Sequence, residues 1–457
     1  MSSTSTSNRG LQGFCDISNG DLCLKDTVSA LEWGPLLAAT TWDGSLQLVS
    51  SDHAANPRVL PPSSSPAERF CSLSLNSPLL SLAWANSQDA IYVAGGLGSV
   101  IAVDVARAGA GGASSSAASS SSAATAAAAA ADGGPAMITG SSTLGLTHGG
   151  VFKVRTDKSG VLGHSVISAD WSNTLAFWDP RTHAEAVASV AVPGTTGTPP
   201  VANQMNALWK RESMSTTSTS RTRMLRSSVL KPYGTVAIAE SLIAMDARWP
   251  FIVAATDQRT YIYDMRNMSD VVCASPGIRN KPSELAISSN TDGYIIGSIG
   301  GRCAVEPMSQ DNRSAAFSFK CHRNRSAGQF YAITDIAFDP SYPTFTTAGS
   351  DGSMHIWCHR SRQRLRNLNT LPAPITAVAY SPTGTHLAAA LGYDWHKGEP
   401  SGPDQASLPR PRIATIELNT NWRTRAVNNQ SWISTQDIGT SNRVHASVDP
   451  PCLAFAF

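Results

Sequence analysis

Apolar and polar residues alternate from Ile333 to Phe338 in ITDIAF, the period-two pattern of a strand with one buried face. Asp339-Pro340 stops the run, because proline removes a ladder donor and fixes its own φ. From Phe345 to Ser350 the residues are again β-rich, Asp351-Gly352 reads as a tight hairpin turn, and Ser353 to Trp357 runs back. Three strands joined in this way are three-quarters of one propeller blade, and the unit recurs along the chain. Val28 to Val49 reads VSALEW, LLAATTW, Asp43-Gly44, SLQLV; Leu79 to Val105 reads LLSLAW, AIYVAG, Gly98, SVIAVDV. Further copies read VFKV, SVISADW, Ser172-Asn173, TLAFWD; then LIAMDA, FIVAAT, Asp257-Gln258, TYIYD; then SELAI, GYIIGSI, Gly300-Gly301, RCAVE. A seventh opens as ITAVAY and HLAAAL and, after a long turn, reaches RIATIEL at 412–418.

Two inserts interrupt the repeat, 107–136 and 192–235. With both set aside, residues 28–418 divide into seven units of about 45 residues, the period of a four-stranded blade. The expected fold is all-β, a seven-bladed β-propeller over residues 13–418. Its last unit lacks an outer strand after Leu418. The apolar segment Phe14 to Ile17 is expected to supply it and so leave the ring no open edge. Residues 1–12 are Ser/Thr-rich and expected to be disordered. The first insert is almost purely Ala, Ser and Gly, a linker composition, and should precede the outer strand of blade two. The second carries Lys210, Arg211, Arg221, Arg223, Arg226 and Lys231 against Glu212 alone. Such a loop is either simply solvated or a place for nucleic acid or phosphorylation. The tail 419–457 holds Trp422 and Trp432, ends in CLAFAF, and is assigned no place in the ring.

Composition narrows the function classes. A net charge of +2 announces neither nucleic acid nor a membrane surface globally, so any basic function is local. Eleven Trp residues suit an architecture that repeats Trp at strand ends. The eight cysteines show no CxxC and no paired spacing, which points to free thiols in a reducing compartment. No apolar run reaches 18 residues and the N-terminus lacks a signal-peptide core, so a soluble nuclear or cytosolic protein is expected. Nucleophile elbow, HExxH and P-loop are all missing from the sequence. Gly96-Leu97-Gly98 lies between strands and is a turn, not a dinucleotide loop. Cys321-His322 and Cys358-His359 are adjacent pairs without metal-ligand spacing. An enzyme using the central mouth is therefore disfavoured, and neither cofactor nor metal is expected.

One charge pattern stands out. Arg360, Arg362, Arg364 and Arg366 recur at every second residue, and on an outer strand of blade six they would share one face. Four guanidinium forks in a row suit phosphates or carboxylates; equally, charges on an outer strand guard it against edge-to-edge pairing.

GRCAVE (301–306), FKCHR (319–323), YAITDIAFDP (331–340), GSDGSMHIW (349–357) and GYDWHKG (392–398) resemble the core of the WD-repeat mRNA-export family and of its sister, the mitotic checkpoint WD-repeat family. WDG at 42–44 and FWDPRT at 177–182 extend the resemblance. YDW-x-KG looks like the export family, while AVE after Arg302 leans to the checkpoint family. The resemblance implies a non-enzymatic WD-repeat adaptor in nuclear mRNA export, located at the nuclear pore and envelope and also in the cytoplasm. It implies capture of a GLEBS hairpin motif from a nucleoporin, or from checkpoint kinases at kinetochores in the sister reading. It further implies that Arg302, with Lys320, pairs with the glutamates of that motif, against the plainer reading that Arg302 pairs with Glu306 or Asp292. Arg362 and Arg364 match basic positions for RNA phosphate, helped by Arg360 and Arg366. No membrane or small-molecule partner is implied. Cys358, where the family usually has Asp, and the two long inserts depart from its pattern.

Overall fold

The computed structural model describes residues 14–18, 22, 24–50, 54–55, 70–107, 136–157, 165–180, 232, 234–309, 315–324, 326–368, 370–395, 398 and 408–418. The expectations for 1–12, for the tail and for nearly all of both inserts fall outside these residues.

Strand β1 (Cys15–Asp16) precedes the blades. Blade one is β2–β5 (Val28–Trp33, Leu36–Thr41, Ser45–Ser50, Phe70–Ser74) and blade two is β6–β9 (Leu79–Trp84, Ala90–Gly95, Ser99–Arg107, Ala136–Leu146). Blade three is β10–β13 (Val151–Thr156, Val166–Asp170, Thr174–Trp178, Gly234–Ala237) and blade four is β14–β17 (Leu242–Arg248, Phe251–Thr256, Thr260–Asp264, Asn267–Ala274). Blade five is β18–β21 (Pro282–Ile287, Gly293–Ser298, Arg302–Pro307, Phe317–Lys320). A small hairpin, β22 and β23 (Arg323–Asn324, Gln329–Phe330), leads to blade six, β24–β27 (Ile333–Phe338, Thr344–Gly349, Met354–Cys358, Gln363–Leu368). Blade seven is β28–β30 (Ile375–Tyr380, His386–Leu391, Arg412–Glu417) with β1 as its fourth strand.

Each blade is a four-stranded antiparallel sheet, and each innermost strand packs on the next, from β2 through β28 and back to β2. That closed circuit makes a seven-bladed propeller. Cys15 opposite Thr415 and Asp16 opposite Ala414 place β1 on the free edge of β30. The outer strands β9 and β13 return after the inserts. Arg107 and Ala136 pair with each other, and Gly234 and Thr235 already belong to β13, so the ends of both inserts are strand.

The turns between second and third strands follow the residues that mark them. Gly44, Gly98, Asn173, Gly301 and Gly352 have φ of 86°, 92°, 63°, 61° and 73°. A side chain with Cβ resists that region, hence glycine or asparagine there. The apolar residues bury between blades, in seven clusters, one at each interface. Trp178 fills the interface of blades two and three, Tyr294 that of four and five, and Phe345 that of five and six. Among the described residues no helix is long and apolar enough to cross a membrane.

Candidate functional site

Every first and third strand runs toward one end of the ring, and every second and outer strand runs back. All turns between second and third strands therefore lie at one end, as do the connections from each outer strand to the next blade. Trp42, Leu97, Trp171 and Ile299 sit in such turns, and Trp395, at φ 58°, in the longer β29–β30 connection. Leu146 ends β9, and Phe330 ends β23 in the connection between blades five and six. These side chains are 39–75% exposed. Among the described residues the remaining large exposed hydrophobic is Val271, on the outer strand β17. These apolar side chains thus share one end of the ring and are left in water.

Arg302 belongs to the same end. It begins β20 directly after Gly301, half-buried, with the exposed Lys320 opposite it in register. Arg323, which sequence reasoning passed over, joins them. Its Nη2 donates to the Gly300 carbonyl at 2.9 Å and its Nε to that of Gly301 at 3.3 Å, fastening it to the turn that presents Arg302. Its guanidinium lies 5.9 Å from the Phe330 ring centre. Burial, and then the charge of Arg302, hold the Arg323 guanidinium below its ordinary pKa. Among the described residues no ion pair joins Arg302, Lys320 or Arg323 to a carboxylate. Asp292 lies at the opposite end of blade five, accepting from Ser288 and Asn290. The cluster is thus three cations, Arg323 fixed by two carbonyls, beside exposed apolar side chains.

The arginine stripe is not the regular face that its spacing suggested. Arg360 and Arg362 lie in the turn between β26 and β27, Arg362 at φ 55°, and only Arg364 and Arg366 are on the outer strand. A bulge there sets Arg364 opposite Trp357 and Arg366 opposite Ile356, with Leu365 unpaired between. Since Trp357 and Ile356 face opposite sides of the sheet, Arg364 turns to blade five and Arg366 to blade seven. Arg362 also leans to blade five. Its guanidinium lies 5.0 Å from the Phe317 ring centre and donates to the Ala315 carbonyl at 3.3 Å. The Arg364 guanidinium stands 5.9 Å from the Trp357 ring, and burial lowers its pKa. Phe319, 4.3 Å from Trp357 and 6.1 Å from Phe317, completes an aromatic bed beneath the two arginines. This edge is at the other end of the ring from Arg302.

Between these two regions lies a buried hydrogen-bond chain. His322 Nδ1 meets Asp351 Oδ1 at 2.9 Å and His322 Nε2 meets Thr347 Oγ1 at 3.0 Å; Trp357 Nε1 donates to the same Oγ1 at 3.1 Å. Asp351 also accepts from the Ser353 N–H at 3.0 Å. Burial pulls the Asp351 carboxyl upward, but the bond and charge of His322 and the Ser353 N–H outweigh it and hold it below the usual carboxylate range. Asp351 thus serves the turn, as its sequence position suggests, and through His322 it also ties that turn to the third strand.

The WD domain, G-beta repeat family matches residues 316–358, from the end of blade five through β26, the segment that holds this chain of bonds. The poly(A)+ RNA export protein of Schizosaccharomyces pombe is 37% identical over 173 residues, 36% of this chain and 49% of that protein. The mRNA export factor GLE2 of Chaetomium thermophilum is 37% identical over 174 residues, 36% and 48% of the two chains. The chain is similar to the WD-repeat mRNA-export family. The mitotic checkpoint protein BUB3.1 of Arabidopsis thaliana, 34% identical over 164 residues, covers 35% of this chain and 48% of its own length, so the sister family is represented too. The chain spans about half the length of the curated relatives it matches. Among solved structures, that of U3-55K superposes with a TM-score of 0.53 at 12% identity, over 87% of this chain and 97% of the other, a likeness of fold alone.

Of the residues implied by the export-family resemblance, Arg302 and Lys320 stand opposite each other in register, while Arg360 to Arg366 divide between a turn and two faces of a strand. The apolar residues at this end were missed because they are single residues in turns or at strand ends. The signal that could have found them is positional: a large apolar residue where a turn needs none, as at Trp42, Leu97, Trp171 and Ile299.

Proposed function

We propose that the chain is a non-enzymatic propeller adaptor in nuclear mRNA export, acting at the nuclear pore. It takes a GLEBS-type nucleoporin hairpin on the face that carries Arg302, and single-stranded RNA on the arginine edge of blade six. The observation that supports the first part is the coincidence, at one end of the ring, of Arg302, Lys320 and Arg323, which meet no carboxylate among the described residues, with the exposed apolar side chains from Trp42 to Trp395. Carboxylates of a peptide would neutralise the cations through paired hydrogen bonds while its apolar residues cover the ring. The similarity to BUB3.1 favours a second reading, a spindle-checkpoint adaptor that uses the same face for a checkpoint-kinase hairpin.

Titration of a GLEBS-type peptide into wild type and Arg302→Ala tests the docking reading. The variant should stay folded and lose about 2–5 kcal/mol of binding, largely because the peptide carboxylate is left unpaired. Unchanged affinity would remove Arg302 from the site. Nucleoporins or checkpoint kinases among the proteins that co-purify with the chain separate the two readings.

A further inference from the structure

The inside of the ring is charged, and its charges tie blades together. Each innermost strand is bulged at its second residue, for example between Ile333 and Asp335 and between Pro282 and Glu284. Lys153 of blade three reaches Glu284 of blade five at 2.7 Å, past blade four, so the bond crosses the interior of the ring. Arg155 meets Asp246 of blade four at 2.6 Å. Three carboxylates also accept a backbone N–H from the next blade: Glu32 from Trp84 at 3.2 Å, Asp246 from Ile287 at 2.8 Å and Asp335 from Val378 at 2.7 Å. These N–H groups belong to innermost strands, the inner edge of each sheet, so the carboxylates close donors that would otherwise face the channel unpaired.

Asp335 is the odd member. It faces Glu284 from β18 and Lys153 from β10. β25 offers it no titratable side chain; Tyr380 of β28 bonds Thr346 instead, and Tyr294 of β19 is buried in the core of blades four and five. Glu284 thus has both Lys153 and Arg155 acting on it, whereas Asp335 has Lys153. We propose that Lys153, Glu284 and Asp335 form a proton-sensitive clasp across the interior of the ring that sets the stability of the propeller. Burial, and then the charge of Glu284, push the Asp335 carboxyl up to about 6, against the pull of Lys153 and of the Val378 and Ile336 N–H groups. With its proton on, Asp335 keeps a carbonyl oxygen for Val378 and no longer repels Glu284. With the proton lost, Asp335 and Glu284 repel each other and both draw on Lys153.

The sign follows from proton binding. The folded state holds this proton more tightly than the unfolded chain, so a stability penalty accrues as pH rises from about 4 through about 6 and is complete above that. Asp335→Asn keeps an acceptor for Val378 and carries no charge. Its melting temperature should match wild type near pH 4.5 and exceed it by about 2–4 °C at pH 7.5. Carboxyl carbon shifts of wild type give an answer that needs no variant: the Asp335 midpoint should stand near 6, and Lys153→Met should raise it further. Parallel melting profiles of wild type and Asp335→Asn, or an Asp335 midpoint in the ordinary carboxylate range, would overturn the clasp.

Discussion

Thr347 Oγ1 is the joint at which two buried rings meet, accepting from Trp357 Nε1 and facing His322 Nε2. Thr347, His322 and Trp357 are each at most 3% exposed, so no water replaces a lost partner. Thr347→Val keeps the shape and removes the oxygen. An orphaned buried donor costs about 1–3 kcal/mol, so the variant should lose on the order of 2–4 kcal/mol in urea denaturation. Thr346→Val, whose hydroxyl meets only Tyr380, should lose about half of that, and equal losses would show that the chain of bonds is not special. This is the scale at which the sequence is least legible. His322 sits beside Cys321 and reads as a chance neighbour, because its partners Thr347 and Asp351 lie 25 and 29 residues on. Arg302 was singled out by the family resemblance, and the glycine turn before it places it at the rim. Arg323 was not, because what fixes it is the pair of carbonyls of that same turn, which no sequence pattern displays.

At the scale of the strand, β27 separates residue spacing from residue placement. Every-second-residue arginines predict one face, and a single unpaired Leu365 reverses the prediction by placing Arg364 and Arg366 on opposite faces. Leu365 packs toward the core of blades six and seven, which gives the bulge its reason. The strands around it were legible wherever a glycine or asparagine turn links neighbours, from β3 and β4 through β25 and β26. Outer strands were not, since Phe70–Ser74 and Gly234–Ala237 are short and arrive far downstream of the strands they pair with. The bulge also changes what the arginine edge can do. Arg362 and Arg364 are held over Phe317 and Trp357, so each presents a fixed guanidinium plane toward blade five while Arg366 points away. Single-stranded RNA should bind weakly and without reading sequence. Its log affinity should fall against log salt by roughly 0.7 per phosphate neutralised, a total slope near −1.4 for the two arginines. Arg362→Glu with Arg364→Glu should abolish that binding and leave the hairpin peptide unaffected, while Arg366→Glu should weaken it little. RNA binding that survives the double variant with an unchanged salt slope would place the site elsewhere, with the basic residues 210–231 the next to test.

For the molecule as a whole, the number of blades was legible because repeats count themselves, whereas ring closure depends on four residues that only a ring makes necessary. Phe14 packs into the core of blades six and seven and Ile17 into that of blades seven and one, so the segment grips its blade from both sides. Between them Cys15 and Asp16 pair with β30, the Ile17 N–H donates to the Ile413 carbonyl at 2.9 Å, and Asp16 meets Arg412 at 3.6 Å. Burying a side chain of this size contributes about 1.5–3 kcal/mol, so Phe14 and Ile17 together supply roughly 3–6 kcal/mol before the hydrogen bonds are counted. A domain's whole stability is about 5–15 kcal/mol. Removing residues 1–18 should therefore cost most of the stability and leave β30 as an open edge prone to pair with other chains. Removing 1–12 should cost nothing measurable. The insert between β8 and β9 supplies the contrast, because Arg107 and Ala136 are already opposite each other and a two-residue Asn-Gly turn can join them. Long loops add only about 0.6 kcal/mol of closure entropy per doubling, so that deletion should leave the melting temperature within a few degrees of wild type. Urea denaturation of the three truncations, with light scattering to follow association, decides the matter. If the protein lacking 1–18 unfolds at the wild-type midpoint and stays monomeric, the propeller closes by inter-blade packing alone and β1 is an ornament on its edge.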